Sequence, residues 1–597
     1  MRKIRHIRKF IINIFSIIKI ILKSSPIIVT KLFICNVLLG IVTSLNVYLW
    51  KYLVDSATYS LEYGKVGEAF IWLGGIGGCI ETINLFNRLS IYYREIAQES
   101  MNCYINEMVI EKVNQLDMSY FDDSKIYDTL EKVSSESGAR CVSILVMLVM
   151  LLQYFTTLIG VTAVMASLSG SIAIMLCLIM VPIFYVSISI AYKQYKIYVT
   201  RVQNLRMVDY LTDLCLKYEN IKELKIYGAA LYLKQKVSDI YKKHIIEDKK
   251  YKKSFLFKLT KTDLVQSICS TGIKIFVLYR AILEKKSIGD FTMYISALDN
   301  MENSINSILD AISSLYSDNL YIENLLDLLK MEGGLKDGKK DFSVVDLKKI
   351  EFENVWFQYP HSDSFVLKNV SIKLERGKSY ALVGLNGSGK TTFIKLLLRL
   401  YDPQRGKILI NGIDIKEYSI ESLYRSIGVV FQDFIKYPLT VNENIGIGNL
   451  KRIDDFEKIQ FAAYISGANK FIQSLPNEYQ TILEKEWEEG SELSGGQWQT
   501  IAISRAIMRD VSILIMDEPS SALDPQAESD ILKKMQEMMD GKMSLLITHR
   551  FSNMGIVDKI FVMQEGEITE FGTHEELMRT NGKYYTLYKL QADAYKR

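Results

Sequence analysis

Gly384-Leu385-Asn386-Gly387-Ser388-Gly389-Lys390-Thr391 restricts the fold of this chain more than any other stretch, because its spacing makes sense only around a phosphate. It matches G-x-x-x-x-G-K-[ST], in which glycines free the backbone to curl and consecutive N–H groups point inward at an anion. Lys390 then reaches the outer phosphates, and the Thr391 hydroxyl can ligate Mg²⁺. Ser379-Tyr380-Ala381-Leu382-Val383 before the loop reads as a buried strand. Residues 393–400 after it read as a helix whose positive N-terminal end adds to the phosphate site.

A chain of 597 residues is too long for one core, so about two to four domains are expected. Charged residues make up 23% of it although mean hydropathy is positive, so apolar segments must be segregated from polar ones. Residues 1 to 330 are Ile/Leu-rich with long apolar runs, and from 345 the chain reads as α/β protein. A net charge of +4 is too small to argue for nucleic acid as a partner. All seven cysteines (35, 79, 103, 141, 177, 215 and 269) lie in the first half without a CxxC pair, which fits small packing residues in a reducing compartment. No metal site is readable from them.

A bilayer core needs roughly 20 mostly apolar residues in a helix. Residues 27–50, 69–92, 142–168 and 171–191 meet that requirement, and two weaker spans, 262–282 and 287–315, carry Lys274, Arg280, Asp290, Asp299, Glu302 and Asp310. The expected architecture is a bundle of six transmembrane helices with long cytosolic extensions, followed by an α/β P-loop NTPase cassette. The boundaries read as a basic interfacial helix over 1–24, a transmembrane domain over 25–330, a linker over 331–348 and the cassette over 349–597. Basic flanks stay in the cytoplasm, so the N-terminus, the long loops 93–141 and 192–258 and the cassette are placed on the cytosolic side of the cell membrane.

Ionisable residues deep in a span normally face a bundle interior or a water-filled cavity. Lys274, Asp299, Asn300, Glu302, Asn303 and Asn306 lie too far inside for snorkelling and predict a polar cavity lined by the last two spans. Counting about 1.5 Å per residue from the hairpin near position 285 brings Lys274 and Asp299 to one depth, so they are expected to pair.

In the cassette, residues 512–518 read as a buried strand ending in two acids. Asp517 suits water-mediated Mg²⁺ ligation, and Glu518 projects one residue further, placed to polarise an attacking water. Leu493-Ser494-Gly495-Gly496-Gln497 opens a helix over 497–508, a second anion site at a helix N-terminus or simply an N-cap.

Taken together, Tyr359 in Phe357-Gln358-Tyr359-Pro360, the P-loop, Gln432 in Val430-Phe431-Gln432-Asp433, the LSGGQ run, the Asp517-Glu518 strand, Ser521-Ala522-Leu523-Asp524 and His549 in Thr548-His549-Arg550 resemble the ATP-binding cassette of ABC transporters. With six spans ahead of the cassette, the whole chain resembles an exporter-type half-transporter.

The resemblance implies ATP and Mg²⁺ as cofactors and ATP hydrolysis coupled to transport. The implied ATP-binding set is Tyr359, Gly384, Asn386, Gly387, Ser388, Gly389, Lys390, Thr391, Thr392, Ser494, Gly495, Gly496, Gln497 and Asp524. Tyr359 would stack on adenine; Thr391, Gln432 and Asp517 would hold the metal; Glu518, Gln432 and His549 would be catalytic. Ser494 and Gly496 would bind the γ-phosphate of ATP held by the other subunit's P-loop, so two chains must meet head to tail, as a homodimer or with a homologous half-transporter. Residues 116–123 and 219–225 resemble the segments that place short coupling helices on the cassettes.

Trp498 and Asn386 resemble exporters of ribosomal peptides (lantibiotics and other bacteriocins), so a peptide is the expected cargo. A lipid or amphiphile flippase or multidrug exporter is the alternative, followed by a non-transporting regulator or gated pore. With no room for an N-terminal cysteine peptidase domain, leader trimming is not expected of this chain. The acidic run Glu484-Lys485-Glu486-Trp487-Glu488-Glu489-Gly490 departs from the family's usual sequence before LSGGQ.

Overall fold

The computed structural model describes residues 2–166, 170–343, 347–360, 362–509, 511–519, 534, 536–548 and 551–595. It divides into two compact units, residues 1–116 with 124–332, and residues 117–123 with 333–597.

The first unit is helical throughout: α1 (Arg2–Ser24), α2 (Pro26–Tyr63), α3 (Gly67–Asn114), α5 (Ser124–Ala166), α6 (Gly170–Leu216), the short α7 (Tyr218–Ile226), α8 (Ala229–Leu283) and α9 (Ile288–Lys330), with α4 (Met118–Phe121) belonging to the second unit. Among the described residues, three helices are long and apolar enough to cross a membrane by length and composition, within α2, α3 and residues 138–166 of α5. The expected fourth span falls in α6, where the side chains of 170–184 lie outside the described residues. The two charged spans fall in α8 and α9, and the expected spans prove to be parts of helices up to 55 residues long.

Helix ends follow local chemistry. Pro26 starts α2, where its missing N–H costs nothing, and Gly64 stops it in a left-handed turn at φ 69° with its N–H on the Ser60 carbonyl. Ser287 and Asp290 form a reciprocal capping box at the start of α9. Small residues let the membrane helices approach closely. A Cβ at Gly40 would sit 1.8 Å from Thr156 Oγ1, and one at Gly160 2.4 Å from Ser44 Oγ. The Ser44 hydroxyl spans this α2–α5 crossing by donating to the carbonyl of Gly40 or Thr157, each 3.1 Å away. Val47, Val161, Ile273, Val277, Met293 and Leu298 join α2, α5, α8 and α9 in one apolar core.

Polar side chains stitch α8 to α9. Lys274 Nζ lies 2.6 Å from Asp299 Oδ1, the pairing expected from depth. The start of α9 is tied to α2 instead: Lys51 pairs with Asp290 at 2.7 Å, and the Asp55 carboxylate accepts the Gly289 N–H at 2.9 Å.

The second unit carries two sheets. The strands β1 (Lys349–Phe357), β2 (Leu367–Glu375), β4 (Arg405–Ile410) and β5 (Ile413–Asp414) form an antiparallel sheet in the order β2-β1-β4-β5. The strands β3 (Ser379–Val383), β6 (Ile427–Val430), β7 (Ile513–Asp517), β8 (Met543–Ile547), β9 (Lys559–Gln564) and β10 (Glu567–Gly572) form the second, in the order β10-β9-β3-β8-β7-β6. Only the β10 edge is antiparallel; β3, β6, β7, β8 and β9 run parallel, and β7 and β8 are buried at every position. That fits their apolar make-up, interrupted only by Ser544 in β8 and by Asp517 at the end of β7. α10 (Lys390–Leu397) follows β3.

The segment 117–123 is held in this unit by its own acids. The Tyr401 hydroxyl donates to the Asp122 carboxylate at 2.9 Å, and Asp117 accepts the backbone N–H of Leu335 at 2.8 Å and that of Gly334.

Lys274→Glu places two like charges at one point of the α8–α9 seam, and so does Asp299→Lys. Each single reversal is expected to destabilise the purified full-length protein by about 1–2 kcal/mol, and the double reversal to recover most of that loss. Melting temperatures of the four proteins in one detergent decide it; additive losses would mean the two groups do not interact.

Candidate functional site

Three parallel strands end at one edge, and the turns that follow them deliver the candidate residues. After β3 the chain curls through the P-loop into α10. Position 384 admits only glycine, since a Cβ there would lie 2.3 Å from the Met563 carbonyl oxygen and 2.8 Å from Ser388 Oγ. Gly389 caps α10 at φ 109°, where an L side chain is strained, and its Cβ would meet Leu367 Cδ2 at 2.8 Å.

Lys390 and Thr391 open α10. The Lys390 ammonium donates to the carbonyls of Gly384 at 2.8 Å and Leu385 at 3.1 Å. Burial lowers its pKa, opposed by the negative charges of Glu518 and Asp517. Ser388 Oγ is buried without a hydrogen-bond partner. A lysine resting on backbone carbonyls and an orphaned hydroxyl inside a glycine cradle fit a polyphosphate, which would satisfy both.

Asp517 is the last residue of β7 and Glu518 follows it. Burial drives the Asp517 carboxyl up to about 6; Glu518 and Asp433 raise it too, and Lys390 pulls the other way. Glu518 occupies the left-handed region at φ 50°, a strained state that the surroundings hold in place. Its N–H donates to the Ile547 carbonyl at 2.9 Å and its carbonyl accepts from Gln499 Nε2 at 3.1 Å. The kink turns the side chain toward Gln432, whose Nε2 donates to Glu518 Oε2 at 2.9 Å. Gln432 follows β6, so the three strand ends converge.

An open cavity of about 220 Å³ is lined by Val366, Asn386, Gly387, Gly389, Lys390, Thr391, Thr392, Gln432, Asp517 and Glu518. The hydroxyl of Thr391, the amide oxygen of Gln432 and the carboxylate of Asp517 are hard oxygen donors on this one cavity, the donor set that suits Mg²⁺ beside phosphate. Tyr359 is half-buried next to it, hydroxyl 3.0 Å from Thr392 Oγ1 and ring edge-on to Phe357 and Tyr401 at 5.0 and 5.5 Å.

Ser494 to Gln497 are not among the residues lining this cavity. There Ser494 caps the helix Gly495–Ile507 through the Gln497 N–H at 3.3 Å, and Gln497 Oε1 accepts the Ser494 N–H at 2.8 Å, a complete capping box. Trp498 is fully buried in the core beneath. Asp524 and His549, with the rest of the Ser521-Ala522-Leu523-Asp524 run, lie outside the described residues.

Two positioning groups had no sequence signal beyond their place on that helix. Gln499 grips the Glu518 backbone. Arg505 donates to the carbonyls of Asn444 (2.8 Å) and Ile435 (2.6 Å) and to Asn444 Oδ1 (2.6 Å), tying the helix to the chain that follows Gln432; burial brings its pKa down to about 10.

Residues 367–521 match the ABC transporter family, and residues 29–300 match the ABC transporter transmembrane region. The chain is similar to the subtilin transport ATP-binding protein SpaT of Bacillus subtilis, 33% identical over 92% of this chain and 89% of that protein. It is also similar to the ATP-dependent lipid A-core flippase of Alkalilimnicola ehrlichii, 30% identical over 82% of each. Its fold resembles that of a bacterial Atm1-family ABC exporter solved with ATP bound, with a TM-score of 0.82, 24% identity, and coverage of 94% of this chain and 97% of the other.

Between about pH 4 and 6 the folded protein without nucleotide or metal keeps a proton on Asp517 that the unfolded chain has released, so stability falls as pH rises through that window and the cost is complete above about 6. Asp517→Asn is therefore expected to be more stable than the parent at pH 8 by about 1–3 kcal/mol, with the gap closing toward pH 4.5. Melting curves in EDTA at both pH values test this; a gap independent of pH would rule out the buried carboxylate as its cause.

Proposed function

The chain belongs to the ABC transporters, as a membrane exporter whose helical transmembrane domain is fused to a cytosolic ATP-hydrolysing cassette, and from that premise we propose that it exports a ribosomally made peptide of the lantibiotic kind. The observation that carries the peptide reading is the 33% identity to a subtilin transporter along 92% of the chain, membrane domain included. Trp498 and Asn386 in the cassette point the same way. The similarity to lipid A-core flippases, 30% identical over 82% of the chain, supports a lipid or amphiphile as the second reading.

In the reaction proposed, the P-loop amides, the Lys390 ammonium and the Ser388 hydroxyl receive the phosphates, and the Tyr359 ring supports the base. Mg²⁺ held by Thr391, Gln432 and Asp517 would neutralise phosphate charge. Glu518 polarises the attacking water, oriented by Gln432 at 2.9 Å, and His549 steadies the terminal phosphate. The Ser494-Gly495-Gly496-Gln497 turn, with Asp524 along the same face, completes the pocket of a second copy of the chain or of a homologous half-transporter. In the capping box the Ser494 hydroxyl oxygen only accepts, so its O–H and the Gly496 N–H remain able to donate to the partner's phosphate.

Export follows from differential binding: phosphate contacts favour the closed pair of cassettes, and hydrolysis removes that preference.

Glu518→Gln keeps the size of the side chain and its hydrogen bonding while removing the base. Hydrolysis by the protein in lipid nanodiscs is expected to fall about 100-fold or more with ATP still bound, leaving the closed state populated. Ser494→Arg is expected to abolish hydrolysis by crowding the partner's phosphate. Turnover unaffected by Ser494→Arg would refute the shared pocket. Stimulation of the parent's ATPase by precursor peptides and not by lipid A would support peptide cargo, and the opposite pattern would favour the second reading.

A further inference from the structure

The α8–α9 seam carries a charge that the proposed export cycle does not use. Glu302 sits on α9, 14 residues from the start of the helix at Ile288, about 21 Å along it. That is well inside a hydrocarbon layer about 30 Å thick. Both of its oxygens are held: Oε1 accepts from Gln266 Nε2 at 2.9 Å and Oε2 from Ser270 Oγ at 2.6 Å. Gln266 and Ser270 are four residues apart on one face of α8, so together they form a fixed fork for a single carboxylate. These donors are neutral. They orient the carboxylate but bring no opposite charge to it.

One turn outward, Lys274 is taken by Asp299 at 2.6 Å, and among the described residues no cation pairs with Glu302. Further along the seam come Asp263 on α8 and Asp310 on α9, both exposed carboxylates. Among these residues one ammonium, Lys274, stands against four carboxylates, Asp263, Asp299, Glu302 and Asp310. A charge at this depth is costly unless it meets water or an opposite charge. Glu302 is only half-buried, so the opposite charge can arrive from outside the chain.

We propose that Glu302, pre-oriented by Gln266 and Ser270, is the counter-charge for an ammonium or guanidinium group of the transported cargo, making the exporter selective for cationic amphipathic substrates. This deepens the peptide reading and rests on it for the identity of the cargo, though not for its charge. A purely structural clamp would support all cargo equally; a counter-charge discriminates by charge alone.

The test uses full-length protein in nanodiscs of neutral phosphatidylcholine and reads the concentration giving half-maximal ATPase stimulation. The probes are a lysine-rich amphipathic peptide, the same peptide with every lysine acetylated, and an alkylammonium with its matching alkyl alcohol. The parent protein is expected to respond to each cationic probe at about tenfold lower concentration than to its neutral twin. Glu302→Gln brings that ratio close to one; Glu302→Asp, which retains the charge, preserves discrimination and shows that the membrane domain still folds. A parent that ignores probe charge, or a Glu302→Gln protein that keeps the full ratio, overturns the proposal. Peptides that stimulate equally in both charge forms sink the counter-charge and leave peptide export standing. Inert peptides beside a Glu302-dependent response to the alkylammonium sink peptide export and leave the counter-charge standing.

Discussion

Everything in the cassette turns on opposite charges delivered to one edge of a parallel sheet. Lys390 arrives after β3, Asp517 at the end of β7 with Glu518 next, and Gln432 after β6, and all four line one cavity. A parallel sheet buried on both faces is rigid and apolar, so such groups have only its carboxyl edge to occupy. Burial raises the pKa of the Asp517 carboxyl and lowers that of the Lys390 ammonium, which rests on backbone carbonyls. The groups are poorly satisfied by one another, and a phosphate with its cation would relieve them together.

The membrane domain solves a different problem. Helices in lipid gain little from apolar contact, so α2 and α5 close on Gly40 and Gly160 with the Ser44 hydroxyl bonded across. α8 and α9 add charge and hydrogen bonds to their share of the apolar core. Lys274, Asp299, Glu302, Gln266 and Ser270 give that seam a polar strip beside its apolar contacts.

Glycine spacing and strand hydrophobicity made β3, the P-loop and the strand ending at Asp517 legible in the sequence, because backbone conformation and burial at those points admit few residue types. The Lys274–Asp299 pair could be read as well, since depth from a hairpin is arithmetic. Other features had no one-dimensional trace. The left-handed backbone at Glu518 is invisible in a strand pattern, and Gln499 and Arg505 look like ordinary polar positions of an amphipathic helix until the fold brings Glu518 and Asn444 to them. The long helices ran past the apolar segments that announced them because hydropathy marks where lipid ends and says nothing of where hydrogen bonding along the helix stops. The Ser494–Gln497 capping box shows the reverse: locally it is an ordinary helix cap, and only the family resemblance marks its remaining donors for a second nucleotide.

The grip of Gln499 on the Glu518 backbone has a mechanical meaning. In the proposed dimer, the helix that begins at Ser494 serves the nucleotide of the neighbouring subunit, while five residues further along it holds the hydrolytic acid of its own. One rigid rod thus spans two reaction centres belonging to different pockets. Whatever the neighbour's phosphate does to the front of that rod is carried into the local acid's backbone, so the two sites of an assembled pump cannot fire in ignorance of each other.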